Sequence, residues 1–446
     1  MTCRLSIIRC AGGLMKRFFE SYFHLSERGT DVKTEIIAGV TTFLTMMYIV
    51  PLNGIIMKDA GMPIEAVITA TALISMSATM FNGFWSNTPI AMSVGLGLNS
   101  YFTYALVLGE KLPWQTVLGI VFLSGALFLV LTVTRVRRLI IESISAEFKI
   151  AVSAGIGIFI AFIGLKQMGI IAAHPVTYLT LGNLSDKNVL LGVTGIFLIT
   201  ALILRRVRGA FIIGIALTSM AGYAAGVSAL PASFTSMPAS IAPLFLKLDI
   251  AAALTPALIA PIITFMLTDL FDSLGTLAGV GYRAGIFDDS DSRPIQKTLE
   301  ADAAATVFGS LLGLSTTTSF IESASGVEEG GRTGLTAVVT GLLFILTLFM
   351  LPLFTAIPAN AIYPVLVMVG VFMFADLKKI NFGDFETALP SFLIIVMMPL
   401  TFSITKGLAA GFIAHVFIKL VTGKFRELNA VIIILAMISV LAFVLD

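Results

Sequence analysis

The chain has 446 residues, of which 57% are hydrophobic and 12% charged, with a formal net charge of +2. A soluble globular domain carries roughly twice that charged fraction, so a single aqueous core is excluded and the apolar surplus belongs in lipid. The small, scattered charge gives no nucleic-acid footprint, and Cys3 and Cys10, both near the N-terminus, supply neither a disulfide framework nor a cysteine metal site.

His24, His174 and His415 lie far apart in the sequence, and no cofactor or metal is expected. Met1 to Gly13 holds a weak apolar patch without a long hydrophobic region or cleavage site, so no signal peptide is expected. Met15, followed by Lys16, Arg17 and Phe18, reads as a second start, which would make the preceding residues an upstream extension.

Windows of about 20 apolar residues mark membrane helices. In chain order they run from Glu35 to Met57, Ile64 to Phe84, a weaker one from Pro89 to Leu108, and Trp114 to Val133. Glu147 to Met168, Val189 to Leu204 and Ala210 to Leu230 complete the first half. The second half holds Leu254 to Val280, Thr298 to Leu314, a short piece from Thr316 to Val327, and Gly334 to Leu353. It ends with Ala359 to Phe374, Phe385 to Ile404 and Gly407 to Val421, fourteen segments in all. Asn429 to Leu445 is one more apolar stretch, able to span or to lie against the membrane.

Basic clusters set the orientation. Arg17, Arg28 and Lys33 precede the first helix; Arg135, Arg137 and Arg138 follow the fourth. Arg205, Arg206 and Arg208 follow the sixth; Arg283, Arg293 and Lys297 the eighth; Lys378 and Lys379 the twelfth. A cytoplasmic N-terminus puts all of them inside. The acidic run Asp288, Asp289 and Asp291 then falls in a cytoplasmic loop, as a solvated turn.

The two halves resemble each other. Ile144 to Ala146, Val152, Gly157 and Phe159 align without gaps onto Ile357 to Ala359, Val365, Gly370 and Phe372, and Gly83 to Ser93 aligns onto Gly313 to Ser323. Seven helices per repeat is odd, so the second copy is inverted, which predicts a transporter with its site at the repeat interface. The expected division is 1–33 as an N-terminal segment, 34–230 and 231–423 as the repeats, and 424–446 as a C-terminal apolar segment. The weak third and tenth segments correspond. Gly95 to Asn99 interrupts one; Ser315 to Ser319 and Ser323 to Gly326 interrupt the other. Broken helices facing each other offer helix ends and free backbone groups to a polar ligand.

Asp269, Asp272, Ser273 and Thr276 share one face of the otherwise apolar eighth helix. A carboxylate in hydrocarbon is costly, so this face should look into protein or water. Asp272 can alternatively lie near the cytoplasmic end, solvated by headgroup water. Glu322 sits in the hydroxyl-rich break beside Phe320 and Ser323, as a ligand group or as a hydrogen-bonding group of the break. Asn99 can bind ligand or simply cap a broken helix. Glu300 and Asp302 are read as acids starting the ninth helix. Glu328 and Glu329 are read as solvated. Of the aromatic residues near the breaks, Phe320 is preferred over Tyr101 and Phe102 for stacking on a flat ligand.

The runs Thr34 to Gly39 with Thr42 to Met46, GLGLN at 95–99, TDLFDSLGTLAGV at 268–280, and SFIESASG with GGRTGLTAVVTGLLF at 319–344 resemble the AzgA-type adenine, guanine and hypoxanthine permeases of the nucleobase–ascorbate transporter group. The resemblance covers nearly the whole chain from about Phe18. It implies an all-α polytopic membrane protein of fourteen helices in two inverted seven-helix repeats, working as a proton symporter of purine bases. Helices one to four and eight to eleven would form a core domain. Helices five to seven and twelve to fourteen would form a gate that often makes the homodimer contact. Short strands would line the site in the third and tenth segments.

By motif, Asp269 and Glu322 match the family's substrate carboxylates, and Asp272, Gly97 and Asn99 match further functional positions. The expected substrate-binding set is Asp269, Glu322, Asn99, Gly97, Phe320 and Ser323; the expected proton-coupling set is Asp269, Glu322 and Asp272. Ser319, Phe320 and Ser273 stand where the family commonly has threonine, tyrosine and threonine. The first helix has Pro51 to Gly54 instead of the usual asparagine–proline turn. The expected home is a bacterial inner membrane.

The chemistry agrees. A purine edge offers N–H donors that a carboxylate can accept in pairs, and its ring can stack on an aromatic side chain. Rival readings are an anion exchanger of the related sulfate-transporter architecture, which would favour helix dipoles and a cation over two central acids, and a membrane-embedded enzyme, for which no nucleophile–base pair is offered. A channel would need a repeated pore ring.

Overall fold

The computed structural model describes residues 19–134, 143–231, 233–285 and 293–445. Met1 to Gly13, the second start at Met15, the basic residues Arg135, Arg137 and Arg138, and the acidic run Asp288, Asp289 and Asp291 lie outside the described residues.

Asp31 opens α1 (Val32–Met46) by accepting the Thr34 N–H at 2.8 Å, and α2 (Ile49–Asp59) completes the first crossing after a break at Met47 and Tyr48. Then come α3 (Ile64–Ser86), β1 (Met92–Val94), the short α4 (Leu96–Ser100), a π-helical stretch Tyr101–Val107, and α5 (Trp114–Val133). Next are α6 (Ala146–Gln167), the hairpin β2 (Ile171–His174) and β3 (Tyr178–Leu181), α7 (Lys187–Leu204) and α8 (Ala210–Ala224). The second half runs α9 (Ile259–Ala284), α10 (Arg293–Leu311), β4 (Thr317–Ser319), α11 (Ser323–Glu328), α12 (Gly334–Leu348), α13 (Ala359–Phe374), α14 (Phe385–Thr401), α15 (Ile404–Val421) and α16 (Ala430–Leu445). Among the described residues, eight helical stretches are long and apolar enough to cross a membrane, with shorter apolar helices beside them.

Two boundaries differ from the hydropathy reading. The seventh helix ends at Ala224 because Gly226 adopts a left-handed φ of 71° and the Val227 N–H turns back to the Gly222 carbonyl. The ninth begins at Arg293, because its polar first turns continue the helix beyond its apolar part. Asp302 is therefore not a helix-start acid: it sits about two and a half turns inside α10 and is fully buried.

The helices pack in two groups. α1 to α5 assemble with α9 to α12, chiefly α3 on α12, α5 on α10 and α1 on α12. α6 to α8 assemble with α13 to α16, chiefly α6 on α13 and α14 on α15. Glycines let these helices approach. A Cβ on Gly83 would lie 2.6 Å from the Gly334 carbonyl oxygen, and one on Gly157 would lie 2.6 Å from Met373 Cβ. Gly157 and Gly370, matched in the repeat alignment, face each other across the α6–α13 contact. The groups are tied by polar contacts as well. Where α2 ends, Asp59 Oδ2 accepts the hydroxyls of Tyr104 (2.8 Å) and Tyr363 (3.2 Å) and the amide of Gln167 (3.0 Å). Toward the other membrane face, Arg208 pairs with Glu329. α16 runs back along α15: Ile432 lines a small pocket with Phe412 and His415, while Leu435 and Ser439 line another with Thr405 and Leu408.

Candidate functional site

The two broken segments meet inside the first group. β1 and β4 pair antiparallel, Met92 opposite Ser319, Ser93 opposite Thr318 and Val94 opposite Thr317. The ladder continues through the Gly95 N–H to the Thr316 carbonyl and the Phe320 N–H to the Ala91 carbonyl, both at 2.9 Å. A two-stranded ribbon in hydrocarbon leaves two outer edges whose backbone groups must find partners.

Each edge is closed by a threonine from the preceding helix. Thr79 of α3 donates to the Met92 carbonyl and accepts the Met92 N–H, both at 2.9 Å. Thr306 of α10 donates to the Thr317 carbonyl at 2.8 Å and accepts the Thr317 N–H at 3.1 Å. Ser323 ties the far end by accepting the Ala91 N–H at 3.0 Å.

The acids gather around this ribbon. Asp269 and Asp302 are buried, at 1% and 0% exposure, and Asp272 and Glu322 are half-buried. Glu322 Oε1 accepts the Tyr48 hydroxyl at 2.5 Å. Asp269 Oδ2 has the Thr306 hydroxyl at 3.0 Å, and Asp302 Oδ2 accepts from Ser273 and, at 3.3 Å, from Ser319. Ser273 also bonds Thr318 of the ribbon at 2.8 Å. Asp269 lies within electrostatic reach of Asp302 and Asp272, and Asp272 within reach of Glu322. Asp269 Oδ1 and Asp302 Oδ1 are buried without a hydrogen-bond partner, as are the hydroxyls of Thr268, Thr316 and Thr317. Among the described residues no cation pairs with these acids, and no three His, Cys, Asp or Glu side chains are grouped to hold a metal ion. The net charge of the cluster therefore changes with each proton taken up or released.

The structure brings Asp269, Asp272, Glu322, Phe320 and Ser323 to the ribbon and its flanking elements. Phe320 is buried, and its backbone is the ladder's last donor. Asn99 is buried and partnered: its amide donates to Asn53 Oδ1 at 2.7 Å, Asn53 donates to Thr71 at 2.7 Å, and Ser315 donates to Asn99 Oδ1. Those bonds fix the end of α4 against α2 and the segment that leads into β4. Gly97 stands against α6, where a Cβ would lie 2.6 Å from Ile156 Cγ2. It lets the two helix groups touch.

Sequence reasoning missed Tyr48, Asp302, Thr306 and Thr79. The helix break at Tyr48 is a signal, but its partner is 274 residues away. Each threonine lies on the helix just before a broken segment, a spacing that could have found the pair.

A sequence model of the Permease family matches residues 33–410. The chain is 41% identical to the adenine permease AdeP of Escherichia coli, over 95% of this chain and 96% of that one. It is 38% identical to the guanine/hypoxanthine permease PbuO of Bacillus subtilis, over 93% and 98%. In fold it is similar to the transmembrane domain of the cyanobacterial bicarbonate transporter BicA, with a TM-score of 0.64 at 14% identity, covering 85% of this chain and 97% of that one. With the family match spanning most of its length and such relatives covering nearly all of it, the chain belongs to the Permease family of polytopic membrane transporters.

Proposed function

We propose that the chain imports purine nucleobases (adenine, guanine or hypoxanthine) by proton symport with alternating access. The observation that carries this reading is a buried ribbon of two broken segments flanked by Glu322 and Asp269, in a chain whose relatives are adenine and guanine/hypoxanthine permeases. Glu322 and Asp269 accept the purine's N–H edge, Phe320 lies against its ring, and Asn99, Gly97 and Ser323 hold the surrounding backbone. Asp269, with Glu322 and Asp272, carries the coupled proton; Asp302 belongs with them by its burial and its unpartnered oxygen. One proton gains about 2.3 kcal/mol per 100 mV, enough for useful accumulation.

The group α1 to α5 with α9 to α12 acts as the substrate-carrying core. α6 to α8 with α13 to α15 act as the gate and homodimer contact. The basic loops support a cytoplasmic N-terminus in a bacterial cell.

Uptake of radiolabelled hypoxanthine, with unlabelled purines and pyrimidines as competitors, tests the cargo. Purines should compete, a protonophore should abolish accumulation, and removal of sodium should not. Uptake of bicarbonate without any purine competition would replace this reading, and strict sodium dependence at constant pH and potential would remove the proton. A cysteine at Ser185, in an exposed loop, should react with an impermeant thiol reagent in intact cells.

A further inference from the structure

Thr306 has more partners than its hydroxyl can serve while Asp269 is ionised. It has a single proton and two acceptor positions. Two acceptors lie within reach of that proton, the Thr317 carbonyl at 2.8 Å and Asp269 Oδ2 at 3.0 Å. The Thr317 N–H, at 3.1 Å, occupies one lone pair. Thr79, its counterpart at the other edge, bonds only the two backbone groups of Met92.

Two arrangements satisfy these distances. With Asp269 ionised, the Thr306 proton goes to the carboxylate, and the Thr317 carbonyl loses its partner at the outer edge of β4. With Asp269 protonated, the carboxyl O–H donates to Thr306 Oγ1 and the Thr306 proton closes the Thr317 carbonyl. In that second arrangement Oγ1 donates once and accepts twice, which fills its capacity. Moving one proton onto Asp269 thus reverses the direction of one hydrogen bond and restores another on the ribbon.

We propose that Thr306 is a positioning residue that relays the protonation of Asp269 to strand β4, so that proton uptake completes the ribbon on which the cargo sits. This rests on the reading of Asp269 as a proton site. The other titratable groups around Asp269 are Asp272 on its own helix, Asp302 on α10 and Glu322 at the start of α11. β4, α4, α5 and α16 carry none, α6 carries Glu147, Lys149 and Lys166, and α15 carries Lys406, His415 and Lys419. Asp302 bonds Ser273 and Ser319 of β4 instead of Thr306, so its titration reaches the ribbon by a separate route, and the test is made in an Asp302→Asn background that removes it.

The test is hydrogen–deuterium exchange of residues 315–320 in the full chain in lipid nanodiscs, without purine, as a function of pH and corrected for the intrinsic exchange rate. The Asp302→Asn background should show a step, with roughly fivefold weaker protection on the high-pH side, the worth of about one net hydrogen bond. Thr306→Ser should keep the step. Thr306→Val should abolish it, and Asp269→Asn should hold protection constant across the range. Thr79→Val should weaken protection at every pH yet keep the step. A full step surviving when Thr306→Val is added to that background, its loss in Thr306→Ser, or no step in the background itself overturns the relay. Because no purine is present, failure of the purine uptake assay would remove the proposed cargo and leave this result standing.

Discussion

Two buried acids in this molecule are treated in opposite ways. Glu35, in the first turn of α1, is fully buried and fully engaged. Its Oε1 accepts the Arg332 N–H at 2.8 Å. Its Oε2 accepts the N–H of Thr336 at 3.0 Å and the hydroxyls of Thr333 and Thr336 at 2.8 and 2.6 Å. These donors form the N-terminus of α12, where unpaired N–H groups and the helix dipole favour a negative charge. Asp269, equally deep, has one shared hydroxyl on one oxygen and nothing on the other. Burial of a carboxyl group alone therefore says little about its role. Incomplete partnering separates the acid that builds the fold from the acid that is free to exchange protons or meet a ligand.

The largest effect should come from Asp269→Asn. It mimics the protonated state, so exchange of preloaded purine should continue while uphill accumulation falls to background; accumulation that survives would break the contrast with Glu35. Glu322→Gln replaces an acceptor oxygen with a donor facing a purine N–H. Leaving buried polar groups mismatched costs about 1–3 kcal/mol, or roughly 5- to 150-fold in Kd. Equilibrium binding that is unchanged would mean Glu322 does not touch the cargo. Glu35→Gln should act the other way, lowering stability by about 2–3 kcal/mol through lost charge-assisted bonds. Uptake per folded molecule should be preserved, as thermal unfolding and a normalised transport assay can show. Arg208→Ala is the smallest. The Arg208 side chain is 66% exposed, and such pairs contribute about 0–1 kcal/mol, so melting should hardly move.

Much of this was legible beforehand because it is local. Apolar windows located the crossings, and the glycine and hydroxyl interruptions marked both segments that become β1 and β4. The four-residue polar stripe singled out Asp269 before any contact was known. What stayed hidden was long-range or amphipathic. The polar residues from Arg293 to Glu300 fell below the hydropathy of a span, so the ninth helix looked shorter and Asp302 looked like its opening acid. Asn99 read as a ligand or a cap, but its partners Asn53 and Ser315 are 46 and 216 residues away. Gly97 gave no hint that its missing side chain makes room for Ile156, because the need for glycine lies on another helix.

The threonine closures bear on how the chain is built at the ribosome. Thr79 and Met92 are 13 residues apart, and Thr306 and Thr317 only 11, so each outer edge can be satisfied as its own helix enters the bilayer. The inner edges cannot, because Ala91 and Ser323 are separated by 232 residues. At a synthesis rate of about 5–20 residues per second, the first strand waits roughly ten seconds to nearly a minute for its mate. Throughout that interval β1 presents bare backbone within the membrane. The half-finished protein therefore depends on shelter from the insertion machinery or from its own α3, and newly made chains should be most vulnerable to quality-control proteases while the eighth and ninth crossings are still being translated.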